Sequence, residues 1–143
     1  MKKLIVLIFL ISCATNKKTT SFYPCDESDF WWSVMQAESG GNPLHVYNEP
    51  PPLNQESIGL FQLSTTDSSR GCSSKREDYF DPVKNTQCKD LIVKDLRSKY
   101  SGNWSQVLGR YWSTLRTPKD WPSARTAPFQ SFKYYAAKKG CVL

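Results

Sequence analysis

Metal-binding residues and long apolar runs are both scarce in this chain. His45 is the only histidine among 143 residues, and no two cysteines stand at the short spacing of a metal site. Structural zinc needs such ligands, so we expect no metal. The apolar run at residues 4–11 has eight residues, whereas a membrane span needs about 20. This run is therefore too short to cross a bilayer.

A basic stripe is also missing. Lysine and arginine are scattered, although the 19 basic residues exceed the 13 acidic ones. A clustered stripe is the usual footprint of nucleic-acid binding, so we expect no nucleic-acid partner. Without Lys2 and Lys3 the balance is 17 to 13, a net charge of +4. This excess favours an anionic partner such as cell-wall polymer or lipid head groups.

The first residues have the pattern of an export signal. Two lysines precede the apolar run, and residues 10–13, Leu-Ile-Ser-Cys, end at a small-residue boundary. These four residues resemble a lipobox, in which the signal is removed before the cysteine and Cys13 carries a lipid. Ala14 would then suit the outer membrane of a two-membrane bacterium. The alternative is an ordinary signal cleaved nearby, which would give a secreted protein.

The remaining chain has the length of one domain. We predict a signal peptide at residues 1–12, a lipid-anchored polar linker at 13–24 and a folded domain at 25–143. No internal repeat is present. The protein is thus expected to be exported, either as a periplasmic or outer-membrane lipoprotein or as a secreted protein.

Four cysteines follow Cys13, an even number that favours two disulfides in an exported chain. Three pairings are possible. We favour Cys25 with Cys141, which would join the ends of the domain. Cys72 with Cys88 would then clamp a loop onto the next helix.

Hydrophobic spacing and capping residues predict four helices. The first begins near Asp26 and stops at residues 40–41, Gly-Gly; the second begins at residues 81–82, Asp-Pro, and runs towards Tyr100. In the second helix the inward residues are predicted to be Leu91, Ile92 and Leu96. A third helix starts near residue 103, and a fourth follows residue 128. Residues 43–76 are rich in Pro, Asn, Ser and Gly, with at most two short strands.

Glu38 is the candidate catalytic residue. It ends a helix of mostly aromatic and aliphatic side chains, and Gly40 and Gly41 follow it. A carboxylic acid can protonate a leaving oxygen at neutral pH when an apolar setting has raised its pKa. Glycines beside it would let a bulky polymer approach closely. The alternative is a solvated glutamate at a helix end.

Three segments resemble motifs of the soluble lytic transglycosylase family. Residues 38–43 (Glu-Ser-Gly-Gly-Asn-Pro) are similar to its Glu-Ser-x-x-Asn-Pro signature, and residues 59–62 (Gly-Leu-Phe-Gln) to its Gly-Leu-x-Gln motif. Residues 81–85 (Asp-Pro-Val-Lys-Asn) are similar to its Asp-Pro-x-x-Asn helix start. Residues 87–93 instead resemble the cysteine-bearing helix of animal-type lysozymes. The resemblance covers roughly residues 28–115.

This resemblance implies an α+β fold, predominantly helical and lysozyme-like, with a small irregular β region between helices. It also implies cleavage of the β-1,4 bond between N-acetylmuramic acid and N-acetylglucosamine in peptidoglycan, by a monomer without a cofactor. The partners would be glycan strands and, if Cys13 is acylated, the membrane. The competing hypothesis is a non-catalytic wall-binding or lysozyme-inhibitor lipoprotein that uses its cleft only to hold glycan.

The chain departs from the family at two points that affect mechanism. Tyr111 stands where the family has the tyrosine of a Tyr-Asn-x-Gly segment, but Trp112 replaces the asparagine. Animal-type lysozymes have a second carboxylate two residues before the motif glycine, and that position is Ser57 here. Glu49 and Glu56 are the candidate second carboxylates, although Glu56 is expected to face away from Ser57 because strand neighbours alternate.

Three mechanisms follow. Glu38 acts as acid and then base to give a 1,6-anhydro product; it acts with a second carboxylate that positions water; or it supports hydrolysis alone. The residues predicted to contact substrate are drawn from the two motifs and from possible subsites: Ser39, Ser57, Gln62, Tyr111, His45 and Tyr47.

Overall fold

The computed structural model describes residues 22–51, 54–100, 104–112 and 127–143. Within these residues the chain forms four α-helices, one antiparallel pair of strands and two short 3-10 helices. The predicted α+β fold, mostly helical with a small β region, is confirmed. The signal and lipobox residues, and residues 113–126 between the third and fourth helices, lie outside the described ranges.

Helix α1 spans Glu27–Ser39 and carries Glu38 in its last turn. The Asp26 side chain caps it by accepting a hydrogen bond from the backbone N–H of Ser28 at 2.9 Å. It ends at Gly40, which adopts a φ of +64°. The predicted start and stop are both confirmed. The helix buries one side in the core through Phe30, Trp31 and Val34.

Strands β1, Val46–Asn48, and β2, Glu56–Ile58, pair antiparallel. Tyr47 lies opposite Ser57, and Asn48 lies opposite Glu56. After β2 the chain reverses within residues 59–62, and Leu63 returns to bridge Ile58. The two short strands fit the expectation for this region.

Helix α2, Pro82–Lys99, begins where the Asp-Pro pair predicts. The Asp81 side chain accepts hydrogen bonds from the first turn, and Pro82 needs no donor there. Ile92 and Leu96 are buried as expected, but the prediction that Leu91 faces inward is wrong. Leu91 is 40% exposed because it lies about 100° around the helix from Ile92, outside the buried stripe.

Helices α3, Trp104–Trp112, and α4, Ala127–Lys138, complete the core. Helix α4 packs against α1, where the rings of Phe30 and Phe132 lie 5.3 Å apart, and α3 packs against α2. The buried apolar side chains of all four helices and of the β region form a single cluster. None of the helices in the described ranges is both long and apolar enough to cross a bilayer.

Both disulfides favoured by the sequence are present, Cys25–Cys141 and Cys72–Cys88. The first joins the segment before α1 to the segment after α4, over a sequence separation of 116 residues. The second holds the loop before the second 3-10 helix, Arg76–Phe80, to α2. Disulfides stabilise mainly by restricting the unfolded chain. Together they tie the segment after α4 to the segment before α1, and the loop at residue 72 to α2.

Candidate active site

Glu38 is half-buried at the end of α1. The Trp112 indole Nε1–H on α3 donates a hydrogen bond to its Oε1. Burial raises the pKa of Glu38 to about 8; the Trp112 hydrogen bond opposes this rise, and the nearby carboxylate of Glu49 adds to it. Glu38 therefore carries its proton at neutral pH. A protonated carboxyl group is able to act as a general acid.

The turn at residues 59–62 lies beside the end of α1. Gly59 has a φ of +80° and Gln62 a φ of +50°, both in the left-handed region. A Cβ on Gly59 would overlap the carbonyl oxygen of Tyr79 and lie 2.5 Å from Nδ2 of Asn85. Glycine is required here by both the backbone conformation and the lack of space.

Asn85, in the first turns of α2, holds this turn through its side-chain amide. Its Nδ2 donates to the carbonyls of Ile58 at 3.0 Å and Tyr79 at 2.9 Å, and its Oδ1 accepts from the N–H of Phe61 at 3.0 Å. Asn85 is 1% exposed, and these three bonds satisfy its amide inside the core. The sequence indicated Asn85 only as part of a helix start.

The hydroxyl groups of Ser39, on α1, and Tyr111, on α3, also hold the turn. The Ser39 hydroxyl donates to the carbonyl of Leu60 at 2.9 Å, and the Tyr111 hydroxyl donates to the carbonyl of Phe61 at 2.9 Å. Burial raises the pKa of Tyr111 well above its ordinary value, so its phenol stays neutral. Each hydroxyl proton goes to the backbone of the turn, and the substrate contacts of these two residues stay a prediction.

Gln62 has a similar structural role. Its Nε2 donates to the carbonyls of Gly59 at 2.9 Å and His45 at 3.2 Å, which joins the turn to the residue before β1. The His45 carbonyl also accepts from the N–H of Gly59 at 2.8 Å. Both residues were predicted to bind substrate, and the bonds formed by the Gln62 amide and the His45 carbonyl are internal.

Residues 19–130 match the family model of the transglycosylase SLT domain. The chain belongs to this family. The SLT domain acts on peptidoglycan, as a glycosidase of the lytic transglycosylase type, which implies a location outside the cytoplasm. Searches of curated proteins and of solved structures find no significant match.

In this SLT domain, a second carboxylate approaches Glu38 from the end of β1. Glu49 follows β1, and its Oε1 accepts a hydrogen bond from the Ser57 hydroxyl at 2.7 Å. Ser57 stands at the position that corresponds to the second acid in the resemblance to animal-type lysozymes, and here it bonds a carboxylate from the segment after β1. Tyr47 lies opposite Ser57, on the same face of the strand pair, and is 51% exposed.

Glu56, the other candidate second carboxylate, is directed elsewhere. It pairs with Arg76, whose Nε lies 2.6 Å from its Oε2 and whose Nη2 lies 3.0 Å from its Oε1. Because neighbouring residues of a strand point to opposite faces, Glu56 faces away from Ser57, as predicted. The geometry therefore favours Glu49 over Glu56 as the acid near Glu38.

Trp112, like Asn85, is a site residue that the sequence did not indicate. It packs against the core, and it also bonds Glu38. Its position directly after Tyr111, where the SLT motif has asparagine, is the signal that could have identified it. Trp121, for which the sequence leaves a subsite wall and core packing equally open, lies outside the described residues.

A shallow pocket of about 250 Å³ lies elsewhere on the SLT domain, over the Cys72–Cys88 disulfide. Its lining includes Asp78 and Lys84, which pair with each other at 2.6 Å, and none of the residues around Glu38. Within the described ranges, no group of His, Cys, Asp and Glu could hold a metal ion.

Proposed function

We propose that this protein cleaves the β-1,4 bond between N-acetylmuramic acid and N-acetylglucosamine in peptidoglycan, with Glu38 as the general acid and without a cofactor. The observation that carries the proposal is the half-buried Glu38 with a pKa raised to about 8, in a chain of the SLT family. An acid with this pKa is protonated at pH 7 and still acidic enough to donate.

In the first step, Glu38 gives its proton to the glycosidic oxygen while the bond from that oxygen to the anomeric carbon breaks. The leaving sugar departs as an alcohol with the electron pair of the broken bond, and Glu38 becomes a carboxylate. The anomeric carbon of the other sugar then has oxocarbenium character, and it forms its new bond to the oxygen of water or of the sugar's own 6-hydroxyl. The hydrogen bonds to the turn at residues 59–62 hold the backbone beside the end of α1 rigid. Rigid walls favour catalysis because the acid and the scissile bond stay aligned.

The second step distinguishes hydrolysis from transglycosylation. Glu49 favours hydrolysis, because a carboxylate held by Ser57 near Glu38 could take a proton from attacking water. The family match favours the other route, in which the Glu38 carboxylate takes the proton of the sugar's own 6-hydroxyl and a 1,6-anhydro ring forms. We propose hydrolysis assisted by Glu49 as the main route.

Tyr47 and His45 are proposed to line sugar subsites. The Tyr47 ring is exposed on the face that carries Ser57 and Glu49, where it could stack on a sugar ring. His45 is half-buried two residues before it. The same face thus offers an aromatic surface and a carboxylate to one substrate.

Mass spectrometry of muropeptides released from purified sacculi tests the proposal. We expect soluble fragments with reducing ends, and we expect Glu49→Gln to lower their yield about 10²-fold, as loss of a general base does. Glu56→Gln is the matched control and should leave the yield unchanged. Anhydro ends from the wild type, with a Glu49→Gln variant of full activity, would instead assign the transglycosylase route. Absence of any released fragment would contradict glycan cleavage altogether.

We further propose that the domain is exported and anchored through Cys13. The support is the lipobox-like Leu-Ile-Ser-Cys sequence at residues 10–13. Metabolic labelling with an alkyne fatty acid should label the full-length chain, and Cys13→Ser should remove the label. Labelling that persists in Cys13→Ser would exclude this anchor.

A further inference from the structure

The hydrogen bond between Trp112 and Glu38 couples two helices at the candidate active site. Trp112 is in the last turn of α3, Glu38 is in the last turn of α1, and 74 positions separate them. The Trp112 side chain is half-buried, so its bond to Glu38 is partly shielded from water. The direct partner of the acid is thus a tryptophan, at the position next to Tyr111.

The indole is fixed on its other side by α4. The rings of Trp112 and Phe132 lie 5.6 Å apart in an edge-to-face arrangement, and Phe132 is fully buried. Helix α4 is in turn joined to the segment before α1 through the Cys25–Cys141 disulfide. The indole therefore has little freedom to turn away from Glu38.

An indole N–H donates a hydrogen bond and accepts none. The Glu38 oxygen that receives it must therefore be the acceptor oxygen, and Oε1 has this role. In the neutral acid the carbonyl oxygen is a better acceptor than the hydroxyl oxygen, so this bond favours the proton on the other oxygen, Oε2. Without the indole, the two oxygens would be free to exchange roles by rotation of the carboxyl group.

We propose that Trp112 is a positioning residue, which fixes the rotation of the Glu38 carboxyl group so that the acidic proton is on Oε2. The proposal rests on the proposed role of Glu38 as the acid. Trp112 touches the acid and acts on the substrate only through it. The bond persists in both protonation states, because both leave Oε1 able to accept.

The other groups near Glu38 differ from Trp112 in their effect on its charge. Glu49, after β1, repels the ionised form, and the neutral Tyr111 phenol on α3 donates to the turn instead of to Glu38. The Trp112 N–H favours the ionised form and lowers the pKa of Glu38. Loss of this N–H should therefore raise the pKa of Glu38. If the substitution only let water reach Glu38, the pKa would fall instead.

The test is an NMR titration that needs no activity. With carboxyl-¹³C glutamate, the Glu38 signal is assigned by its absence in Glu38→Gln and followed against pH. In Trp112→Phe we expect a midpoint about one pH unit above that of the wild type, as for a lost hydrogen bond to a charged group. Trp104→Phe, on the same helix and packed 5.6 Å from Phe30, is the matched control and should titrate as the wild type. An unchanged or lowered midpoint in Trp112→Phe would overturn the proposal.

A second measurement does not depend on the folding of a Trp112 variant, because it compares only the wild type with Glu38→Gln. One indole N–H resonance of the wild type should titrate with the midpoint of the Glu38 carboxyl signal and lose this titration in Glu38→Gln. If no indole resonance follows Glu38, the proposal is wrong. Cleavage assays then test the Trp112 proposal and the proposed glycan cleavage separately. We expect Trp112→Phe to lower kcat about tenfold with little change in KM. A wild type that lacks cleavage but has the coupled titrations would refute the proposed function and leave the Trp112 inference standing.

Discussion

Replacement of Glu38 by glutamine is expected to lower the rate of glycan cleavage by about 10³-fold. Glutamine keeps the shape of the side chain and an oxygen that can accept from Trp112, but it has no acidic proton to give. The rate of fragment release from sacculi at pH 6 measures the effect. Glu56→Gln, which removes a charge paired with Arg76 on the other face of β2, should retain wild-type cleavage.

The same variant separates catalysis from simple wall binding. Binding to sacculi should persist in Glu38→Gln, because the cleft keeps its shape. If the wild type binds the wall without cutting it, the hypothesis of a non-catalytic wall-binding protein is supported. If Glu38→Gln cuts as fast as the wild type, Glu38 is not the acid.

The raised pKa of Glu38 gives this prediction a pH dependence. Cleavage should decline above a pH of about 8, as Glu38 loses its proton.

The stability of the domain should change with pH as well, because between pH 4.5 and about 8 Glu38 is neutral in the folded protein and ionised in the unfolded chain. The unfolded state then binds fewer protons, so the wild type loses stability relative to Glu38→Gln as the pH rises through this window. Urea unfolding of both proteins at pH 4.5 and pH 8.5 measures the difference, and parallel stability curves would contradict the buried neutral acid.

Replacement of Gly59 by alanine is expected to destabilise the domain by about 3–5 kcal/mol. The new methyl group would meet the Tyr79 carbonyl and the Asn85 amide, both of which are held by hydrogen bonds, and the φ of +80° adds its own strain. Much of the stability of a small domain would be lost. The midpoint and slope of urea unfolding give the change in the free energy of unfolding.

Gly140→Ala is the matched control for this variant. Gly140 has a φ of +75°, close to that of Gly59, but nothing lies within 4 Å of the Cβ it would gain. Its cost should be that of the left-handed backbone alone, about 1–2 kcal/mol. Equal losses of stability in the two variants would mean that the packing of Asn85 against the turn contributes nothing.

Much of the fold could be predicted from local pattern. Asp26 and residues 40–41 mark the ends of α1, and residues 81–82 mark the start of α2, because caps and stops depend on neighbours in sequence. The orientation of Leu91 was mispredicted, because a hydrophobic residue beside the buried stripe of a helix has the same local pattern as one within it. The choice between these positions depends on which helix packs opposite.

The candidate site was predicted less completely. The motif residues Ser39, Gln62 and Tyr111 were identified, but they bond the backbone of the turn at residues 59–62 where substrate contacts were expected. Asn85 and Trp112 were overlooked as site residues. Their roles depend on which carbonyl or carboxylate they meet across the fold, and sequence spacing carries no such information.

The sequence by itself determined the family, the helices, the favoured cysteine pairs and Glu38 as the candidate catalytic residue. Only the tertiary structure decided that Trp112 is the partner of Glu38, and that Glu49, held by Ser57, is the carboxylate near it while Glu56 is not. The physical reason is the same in each case. The burial that raises the pKa of Glu38, and the charge that adds to it, come from residues that only the folded chain brings to the end of α1.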